Sequence, residues 1–254
     1  MDEITLVSAL VIGLSLGVFG SGGAILTFPT LLYFLNLSEK AAIIGSLFIV
    51  AIIAAFTSIP HLAKKRVSVK HLVYFAIPGL MFSYLGAYVG SLAASWTQIL
   101  MFVFLMTLAA VKMLATKSLP SSIAGSVKTK LTPLIISGGM VGFATGFVGV
   151  GGGFLIVPSL FLLAKLSLER AMATSIVIIF LQSSIGFFAY AHYSSEIVQD
   201  MQWGVLMSIA FVGVIGAYLG VAIVKHIDQA RLSKSFGIFL ILMSAFLLVD
   251  RLYL

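Results

Sequence analysis

Two glycine-rich segments interrupt apolar stretches of this sequence, and their composition suits the binding of a small anion. They are Gly20-Ser21-Gly22-Gly23 and Gly149-Val150-Gly151-Gly152-Gly153. Each segment precedes a short apolar stretch and would therefore begin a helix, whose first-turn N–H groups have no partner within that helix. These N–H groups and the positive end of the helix dipole favour negative charge. Because glycine has no side chain, a ligand can approach the backbone closely.

Polar side chains near equivalent points of the sequence are further candidates for contact with such an anion. Ser46 and the pair Thr174 and Ser175 lie near the beginnings of two long apolar stretches. Their hydroxyls could donate to an anion or bond back to their own helix. Gln182 lies in the middle of a long apolar stretch and must face the protein interior, where it would contact substrate or join helices.

Two prolines and the glycines themselves have structural interpretations. Pro29 and Pro158 follow the glycine-rich segments at matching positions, and each predicts a kink in a short helix. The glycines could let membrane helices pack closely, as small residues do. They could also form a nucleotide-binding loop, but the G-x-G-x-x-G spacing is not met and no strand precedes either segment.

The composition indicates a protein that lies in a lipid bilayer. Of 254 residues, 61% are apolar and 9% are charged, with a mean hydropathy of +1.18, whereas soluble proteins carry about 25% charged residues. A soluble core of this length could not bury so much apolar surface. A cytosolic enzyme, a nucleic-acid-binding protein and a disordered protein are therefore excluded. The absence of cysteine excludes disulfides and thiolate metal sites, and no cofactor is expected.

Hydropathy divides the chain into six long and four short apolar stretches. A helix needs roughly 20 residues to cross the hydrocarbon. The long stretches are Ala41–Ile59, Leu72–Ala94, Ile99–Ala115, Ala171–Ala191, Trp203–Val224 and Leu232–Val249. The short ones form two pairs, Ile4–Phe19 with Ala24–Leu35 and Leu131–Phe147 with Phe154–Leu163.

The two short pairs belong to an internal repeat of about 129 residues. Residues 17–31 align without a gap on residues 146–160, with seven identities in fifteen. The sequence Gly-Ala-Tyr-x-Gly also occurs twice, at 86–90 and at 216–220, where it favours helix packing over substrate binding. We therefore divide the chain into a first repeat (1–116), a linker (117–130) and a second repeat (131–254).

The positive charges orient the two repeats in the membrane. Lysines and arginines cluster at 61–71, in the linker and at 225–234, and these parts should be cytoplasmic. Residues 95–98 carry no charge, and 192–202 carry only acidic groups, so both should lie outside. Each short pair must then enter the membrane and return to the same side, and the two pairs must do so from opposite sides.

These observations predict an all-α polytopic membrane protein built from two inverted repeats. Each repeat is a hairpin of two short, glycine-broken helices followed by three transmembrane helices, and both chain termini lie outside. Inverted repeats with interrupted helices at corresponding positions mark the binding site of a transporter, because broken backbone is tolerated only where it lines protein or a polar cavity. We expect the anion to be held at mid-membrane between the two breaks.

The repeated pattern resembles a known family. The pattern G-x-x-G-x-G-G-x-x-x-x-x-P occurs in both repeats, and each copy is followed by a small residue and a serine, Gly45-Ser46 and Thr174-Ser175. It is similar to the TSUP family, the sulfite exporter TauE/SafE-type membrane permeases. The resemblance covers nearly the whole chain and implies transport of sulfur-containing anions across the prokaryotic plasma membrane. The first copy departs from the fuller motif, because Ser21 and Ala24 stand opposite Val150 and Gly153.

The function expected from these features is a membrane permease, not an enzyme, that exports a small anion of the sulfite or organosulfonate type. The alternatives within transport are an anion channel and an uptake carrier. A membrane-embedded enzyme would need a nucleophile, a metal or an acid–base pair at membrane depth. All eight carboxylates and all four histidines instead fall in loops or at the ends of apolar stretches. A structural scaffold would not require broken helices, and homo-oligomerisation is left open.

Overall fold

Within the described ranges, the fold consists of helices connected by short turns. The computed structural model describes residues 3–115, 131–150, 153–224 and 227–253, and every regular element in those ranges is a helix. The helices are α1 (Glu3–Phe19), α2 (Gly22–Tyr33), α3 (Glu39–Ala63), α4 (Val69–Leu92), α5 (Ser95–Ala115), α6 (Leu131–Val148), α7 (Gly153–Leu162), α8 (Leu168–Tyr193), α9 (Ser195–Gln199), α10 (Trp203–Val224) and α11 (Gln229–Tyr253).

The helix lengths confirm the expected division into short and long elements. Among the described residues, α3, α4, α5, α8, α10 and α11 are long and apolar enough to cross a bilayer, and α1, α2, α6 and α7 are shorter apolar helices. Two short helices therefore precede three long ones in each half of the chain. The short helix α9 lies in the segment 192–202, where no element was expected. The linker 117–130 lies outside the described residues, so the domain division stays a prediction.

The backbone shows the same irregularities twice, at a spacing of 129 residues. Gly20 and Gly149 both have positive φ, at 68° and 73°. Asn36 and Lys165, just after α2 and α7, also share the left-handed conformation, at 49° and 50°. Serines at the same spacing cap the next long helices. The hydroxyl of Ser38 accepts from the Ala41 N–H at the beginning of α3, and that of Ser167 accepts from the Arg170 N–H at the beginning of α8, each at 3.4 Å. The two halves therefore have the same local structure.

Glycines bring the helices of different halves together. Helix α1 packs along α10, and α4 packs along α6. A Cβ at Gly86 would overlap the carbonyl of Phe143, and one at Gly216 would overlap the carbonyl of Leu10. The Gly-Ala-Tyr-x-Gly motifs therefore allow close helix contact, and the packing interpretation of these motifs is confirmed.

Helices α3 and α8 form the centre of the bundle and run antiparallel. The rings of Phe48 and Phe187 lie 5.4 Å apart between centroids. One turn or so further along, Ile43 of α3 and Tyr190 of α8 both approach Gly149. From the first contacting pair to the second, the residue number falls in α3 and rises in α8, so the two helices run in opposite directions. Most of both helices is buried.

The loops that carry the predicted cytoplasmic charges meet at one end of the bundle. Arg66, after α3, pairs with Glu169, in the first turn of α8, at 3.1 Å between Nη1 and Oε1. The Ser68 N–H donates to the hydroxyl of Thr174 at 3.0 Å. We call this the basic end. The α4–α5 turn at 93–94 and the beginning of α3 lie at the opposite end, joined by hydrogen bonds from Lys40.

Candidate functional site

The first turns of α2 and α7 meet inside the bundle. A Cβ built on Gly153 would lie 3.1 Å from the Cα of Ser21, and both residues are buried. Helix α2 begins at Gly22 and α7 at Gly153. The positive ends of two helix dipoles therefore approach one another in a buried place, and such a place attracts an anion.

The first turn of α2 has no side-chain cap. The Ser21 hydroxyl makes no capping bond to the helix, and lies 3.5 Å from the carbonyl of Phe19. Capping would normally occupy one of the free N–H groups of the first turn. Gly23 packs α2 onto α1, because a Cβ there would lie 2.7 Å from the Leu16 Cβ and 2.9 Å from the Ile12 carbonyl. Gly151 and Gly152, the corresponding part of the second segment, lie outside the described residues.

The two positive-φ turns are not adjacent, although the two helix beginnings are. A Cβ on Gly20 would lie 2.8 Å from the Met172 Cβ. A Cβ on Gly149 would lie 3.3 Å from the Tyr190 ring and hydroxyl. Met172 and Tyr190 stand eighteen residues apart in α8, which is about 27 Å along a helix axis. The helix beginnings at Ser21 and Gly153 come together, and the two turns contact α8 at different levels.

The hydroxyls of Ser46 and Ser175 hold the two turns in place. Ser175 donates to the carbonyl of Gly20 at 2.9 Å, and its oxygen also lies 2.8 Å from the Met172 carbonyl of its own helix. Ser46 makes the equivalent contacts, to the carbonyl of Gly149 at 3.3 Å and to that of Ile43 at 2.8 Å. Both hydroxyls therefore face carbonyl oxygens. Thr174 instead accepts from the α3–α4 connection.

Gln182 faces the interior, as predicted, and carries an unpaired donor. It is 2% exposed, and its Oε1 accepts from the Thr145 hydroxyl at 3.4 Å. Its Nε2 and the Oγ of the adjacent Ser183, which is fully buried, have no hydrogen-bond partner among the described residues. Ser183 lies one turn beyond Ile179, whose side chain contacts the position of Gly153. These polar atoms therefore lie in the middle of α8, where the Gln182 amide faces α4 and α6: a Cβ on Gly79 would overlap its Nε2, and Thr145 donates to its Oε1.

A polar network at the opposite end was not expected from the sequence. Lys40 Nζ donates to the carbonyls of Gly90 and Ala93, which the α4 end supplies, and to Gln98 Oε1 at 2.8 Å. Gln98 Nε2 donates to the Phe147 carbonyl at 2.6 Å and to the Tyr190 hydroxyl at 2.7 Å. Lys40 is a basic residue at an end otherwise poor in positive charge, and this departure from the charge pattern is the signal that could have revealed it.

Pro29 and Pro158 lie inside α2 and α7, whose helical structure continues past them, and the expected kinks stay predictions. Within the described ranges, no group of three His, Asp or Glu side chains comes close enough to hold a metal ion.

Comparison with known proteins assigns the chain to a family. A family model described as sulfite exporter TauE/SafE matches residues 5–247. The chain belongs to the sulfite exporter TauE/SafE family. The resemblance seen in the doubled glycine motif is thereby confirmed, and this TauE/SafE protein is a multi-pass membrane transporter.

Relatives of this TauE/SafE protein carry the same general description. It is 27% identical to a probable membrane transporter protein of Xylella fastidiosa, over 96% of this chain and 94% of that one. It is 30% identical to one of Methanocaldococcus jannaschii, over 76% of this chain and 73% of the relative. The probable membrane transporter protein YunE of Bacillus subtilis is 27% identical over 98% and 100% of the two chains. No solved structure matches the chain.

Proposed function

We propose that this TauE/SafE transporter moves a small sulfur-containing anion, of the sulfite or organosulfonate type, outward across the plasma membrane. The proposal rests on the close approach of the N-termini of α2 and α7, at Ser21 and Gly153, in the buried interior of the bundle. Two helix dipole ends in a low-dielectric interior favour a negative ligand over a neutral or positive one.

The binding site that we propose lies at these helix beginnings. Backbone N–H groups of the two glycine-rich segments would donate to the oxygens of the anion, as helix N-termini do at phosphate sites. Gln182 Nε2 and Ser183 Oγ would add side-chain donors, since burying them without a partner costs about 1–3 kcal/mol each. Gly20 and Gly149, with Ser175 and Ser46, would then fix the geometry of the two segments without contacting the anion.

The orientation follows from the charge distribution. The basic end, with the turn after α3 and the beginning of α8, is assigned to the cytoplasm by the positive-inside rule. The opposite end and both chain termini are then external, and the α1–α2 and α6–α7 hairpins enter from opposite sides. The antiparallel course of α3 and α8 agrees with two repeats that are inverted relative to one another.

Thermal stabilisation of the purified transporter tests the proposal directly. Sulfite, thiosulfate, sulfoacetate, taurine and sulfate are compared at constant ionic strength. A ligand at a hundred times its Kd stabilises the folded state by about 2.7 kcal/mol, which raises the melting temperature. We expect a shift with one or more of the sulfur anions. Proteoliposomes then test direction and saturation: a linear, unsaturable flux would favour a channel, and absence of any shift or flux would contradict the proposal.

A further inference from the structure

A cavity of about 410 Å³ opens in the basic end. Three ionisable side chains line it, those of His61, Arg66 and Glu169, and most of the remaining lining is apolar. Gly17 of α1 and Met172 of α8 also line it. Because Met172 packs on Gly20, the cavity lies beside the first glycine turn, on the side of the bundle where the cytoplasmic loops meet.

The end of α3 fixes Arg66 at the wall of this cavity. Lys65 adopts a left-handed conformation, with a φ of 52°, and its N–H donates to the Leu62 carbonyl at 3.0 Å. The Arg66 N–H donates to the His61 carbonyl at 3.1 Å. This pair of bonds is the Schellman arrangement that ends many helices. It sets Arg66 against the last turn of α3, so His61 and Arg66 line the same cavity.

The Arg66 guanidinium is bonded to an exchangeable partner. Its partner Glu169 has a side chain that is 60% exposed, and that of Arg66 is 34% exposed. Ion pairs this exposed contribute little to stability, so an anion from solution can compete with the carboxylate. A guanidinium presents parallel N–H donors that match two oxygens of a sulfite or sulfonate group as well as those of a carboxylate.

We propose that this cavity is the cytoplasmic entry site for the anion, with Arg66 as the anion-binding group and Glu169 as the counter-ion that the substrate displaces. The inference rests on the proposed function, since it names where the same anion first binds. The Glu169 carboxylate keeps Arg66 oriented in the absence of substrate and speeds release by competing for the guanidinium. From this cavity the anion passes the Gly20 turn toward the beginnings of α2 and α7.

Binding of sodium sulfite and sodium sulfate to Arg66→Gln, Arg66→Lys and Glu169→Gln tests the entry site. Arg66→Gln should bind at least about tenfold more weakly, which is the effect of losing a charge-assisted hydrogen bond. Arg66→Lys keeps the positive charge but loses the paired N–H donors of the guanidinium. Its affinity for the anion should therefore lie between those of the wild type and Arg66→Gln. Glu169→Gln should bind several-fold more tightly. Lys64→Gln is the matched control, because it removes a neighbouring exposed charge that does not line the cavity.

The outcomes separate this inference from the proposed function. Wild-type affinity in Arg66→Gln, in a protein whose parent binds and transports sulfite, would overturn the entry site alone. Unchanged affinity in Glu169→Gln would overturn it as well, and this variant serves if Arg66→Gln does not fold. A parent protein that binds neither anion and moves neither would overturn the entry site and the proposed function together.

A second inference comes from the opposite end, where side chains fill the corresponding position. The repeat spacing relates His61 to Tyr190, Glu169 to Lys40 and Met172 to Ile43. The first member of each pair lines the cavity. The second members lie around Gly149, where Tyr190 is fully buried and Lys40 bonds to the end of α4 and to Gln98. The position at the basic end is therefore open, and the corresponding position around Gly149 is filled by side chains.

We infer that Lys40, Gln98 and Tyr190 form an external latch that holds the transporter open to the cytoplasm. Lys40 ties the beginning of α3 to the α4–α5 turn through two carbonyls and Gln98 Oε1. Gln98 and Tyr190 both donate to the carbonyl of Phe147, two residues before the Gly149 turn. Opening to the outside requires these bonds to break. By the repeat relation, the cavity beside Glu169 and His61 would close at the same time.

Cysteine labelling tests the latch, because the chain has no cysteine of its own. A cysteine replaces Val150, which is 2% exposed, or Val221, which lines the cavity and is partly exposed. In Lys40→Met, we expect an impermeant thiol reagent to label position 150 several-fold faster from outside and position 221 more slowly from the cytoplasm. Lys70→Met removes an exposed charge at the basic end and should change neither rate. Unchanged labelling rates in Lys40→Met would overturn the latch. Faster labelling at both positions would also overturn it, because that result indicates unfolding.

Discussion

The hydroxyl of Ser175 donates to the carbonyl of Gly20, 155 residues earlier in the chain, at 2.9 Å. The equivalent bond in the other direction joins Ser46 to the carbonyl of Gly149 at 3.3 Å. Each half of the chain therefore fixes the broken hairpin of the other half. Because the carbonyl just before a helix break has no regular partner, a buried hydroxyl at this point removes the cost of an unpaired acceptor.

Ser175→Ala should destabilise the transporter by about 1 kcal/mol more than Ser184→Ala does. Ser184 is the matched control, since it bonds only to the Phe180 carbonyl one turn back in the same helix. Ser184→Ala loses a bond within α8. Ser175→Ala loses the bond between the repeats, because the single hydroxyl proton of Ser175 serves the Gly20 carbonyl. Thermal unfolding in detergent measures the difference. Equal melting temperatures for the two variants would show that the Gly20 turn does not depend on this hydroxyl.

The orientation can be tested by cysteine labelling from each side of the membrane. A cysteine at position 65, in the turn after α3, should react only from the cytoplasm, and one at position 196, in α9, only from outside. Ser122 and Asp2, which lie outside the described residues, should behave like positions 65 and 196 respectively. Labelling of 65 and 196 from the same face would contradict the inverted repeat, because one hairpin would then cross the membrane.

Gly153→Ala tests the meeting point of α2 and α7. The added methyl would lie 2.6 Å from the Ile179 Cδ1 and 3.1 Å from the Ser21 Cα, so we expect a loss of about 1–3 kcal/mol from overpacking. Adding Ile179→Val should restore most of the stability, because the clashing methyl is removed. Transport should remain impaired in this double variant, since the methyl still blocks the approach to the helix beginnings. Gly204→Ala, which meets no atom within 4 Å, is the control. Normal flux in the double variant would argue against the site.

Larger side chains at the glycines test the same idea more severely. Gly22→Val and Gly151→Val should abolish transport in a folded protein, because a β-branched side chain prevents backbone approach to the anion. If the glycines served only close helix packing, the same changes would prevent folding or assembly. Size-exclusion profiles and thermal unfolding distinguish the two results, and normal transport in both variants would exclude backbone binding.

Gln182 and Gln98 should respond in opposite ways to replacement by methionine. Gln98 bonds to Lys40, Phe147 and Tyr190, so Gln98→Met should lower stability by several kcal/mol through the partners left unpaired. Gln182 has an unpaired Nε2, so Gln182→Met should leave stability unchanged or raise it. Flux should nevertheless fall in Gln182→Met if the amide binds substrate. A marked loss of stability in this variant would indicate that the amide joins helices instead.

Sequence alone predicted the features that depend on local composition. The long helices follow from apolar runs, and the breaks follow from Gly20–Gly23 and Gly149–Gly153, where clustered glycines disfavour a continuous helix. The packing role of Gly86 and Gly216 follows from the repeated small residues. Gln182 was correctly predicted to face the interior, because an amide in mid-span cannot face lipid.

The relations that depend on packing between distant helices could not be predicted in the same way. Nothing local indicates that Ser21 touches Gly153 while the Gly20 and Gly149 turns lie at different levels of α8. Lys40 and Gln98 are 58 residues apart, and Gln98 and Tyr190 are 92 residues apart. Each of these residues lies near the end of an apolar helix, where a polar side chain usually faces water, so the sequence gives no sign that they form one network.

The positions of the ionisable groups bear on how transport is driven. Carriers coupled to protons usually keep a carboxylate or histidine at membrane depth. Among the described residues, the carboxylates lie in loops or near helix ends, as with Glu39 and Glu169 in the first turns of α3 and α8. An anion that leaves a cell with a negative interior needs no proton, because the membrane potential already favours its exit.

We therefore expect electrogenic transport that runs outward under the membrane potential alone. At about 2.3 kcal/mol per charge per 100 mV, a divalent anion gains roughly 4.6 kcal/mol, enough for more than a thousandfold gradient. In proteoliposomes, flux should follow a potential set by valinomycin and potassium, and it should not respond to a pH gradient at fixed substrate charge.

The alternative is a proton carried by a group at a helix end. Glu169 and His192 are the candidates from the sequence, and the structure adds His61, which is 8% exposed and lines the cavity at the basic end. Flux that follows the pH gradient at zero potential, and is lost in Glu169→Gln, His61→Ala or His192→Ala, would show that the carrier is coupled to protons.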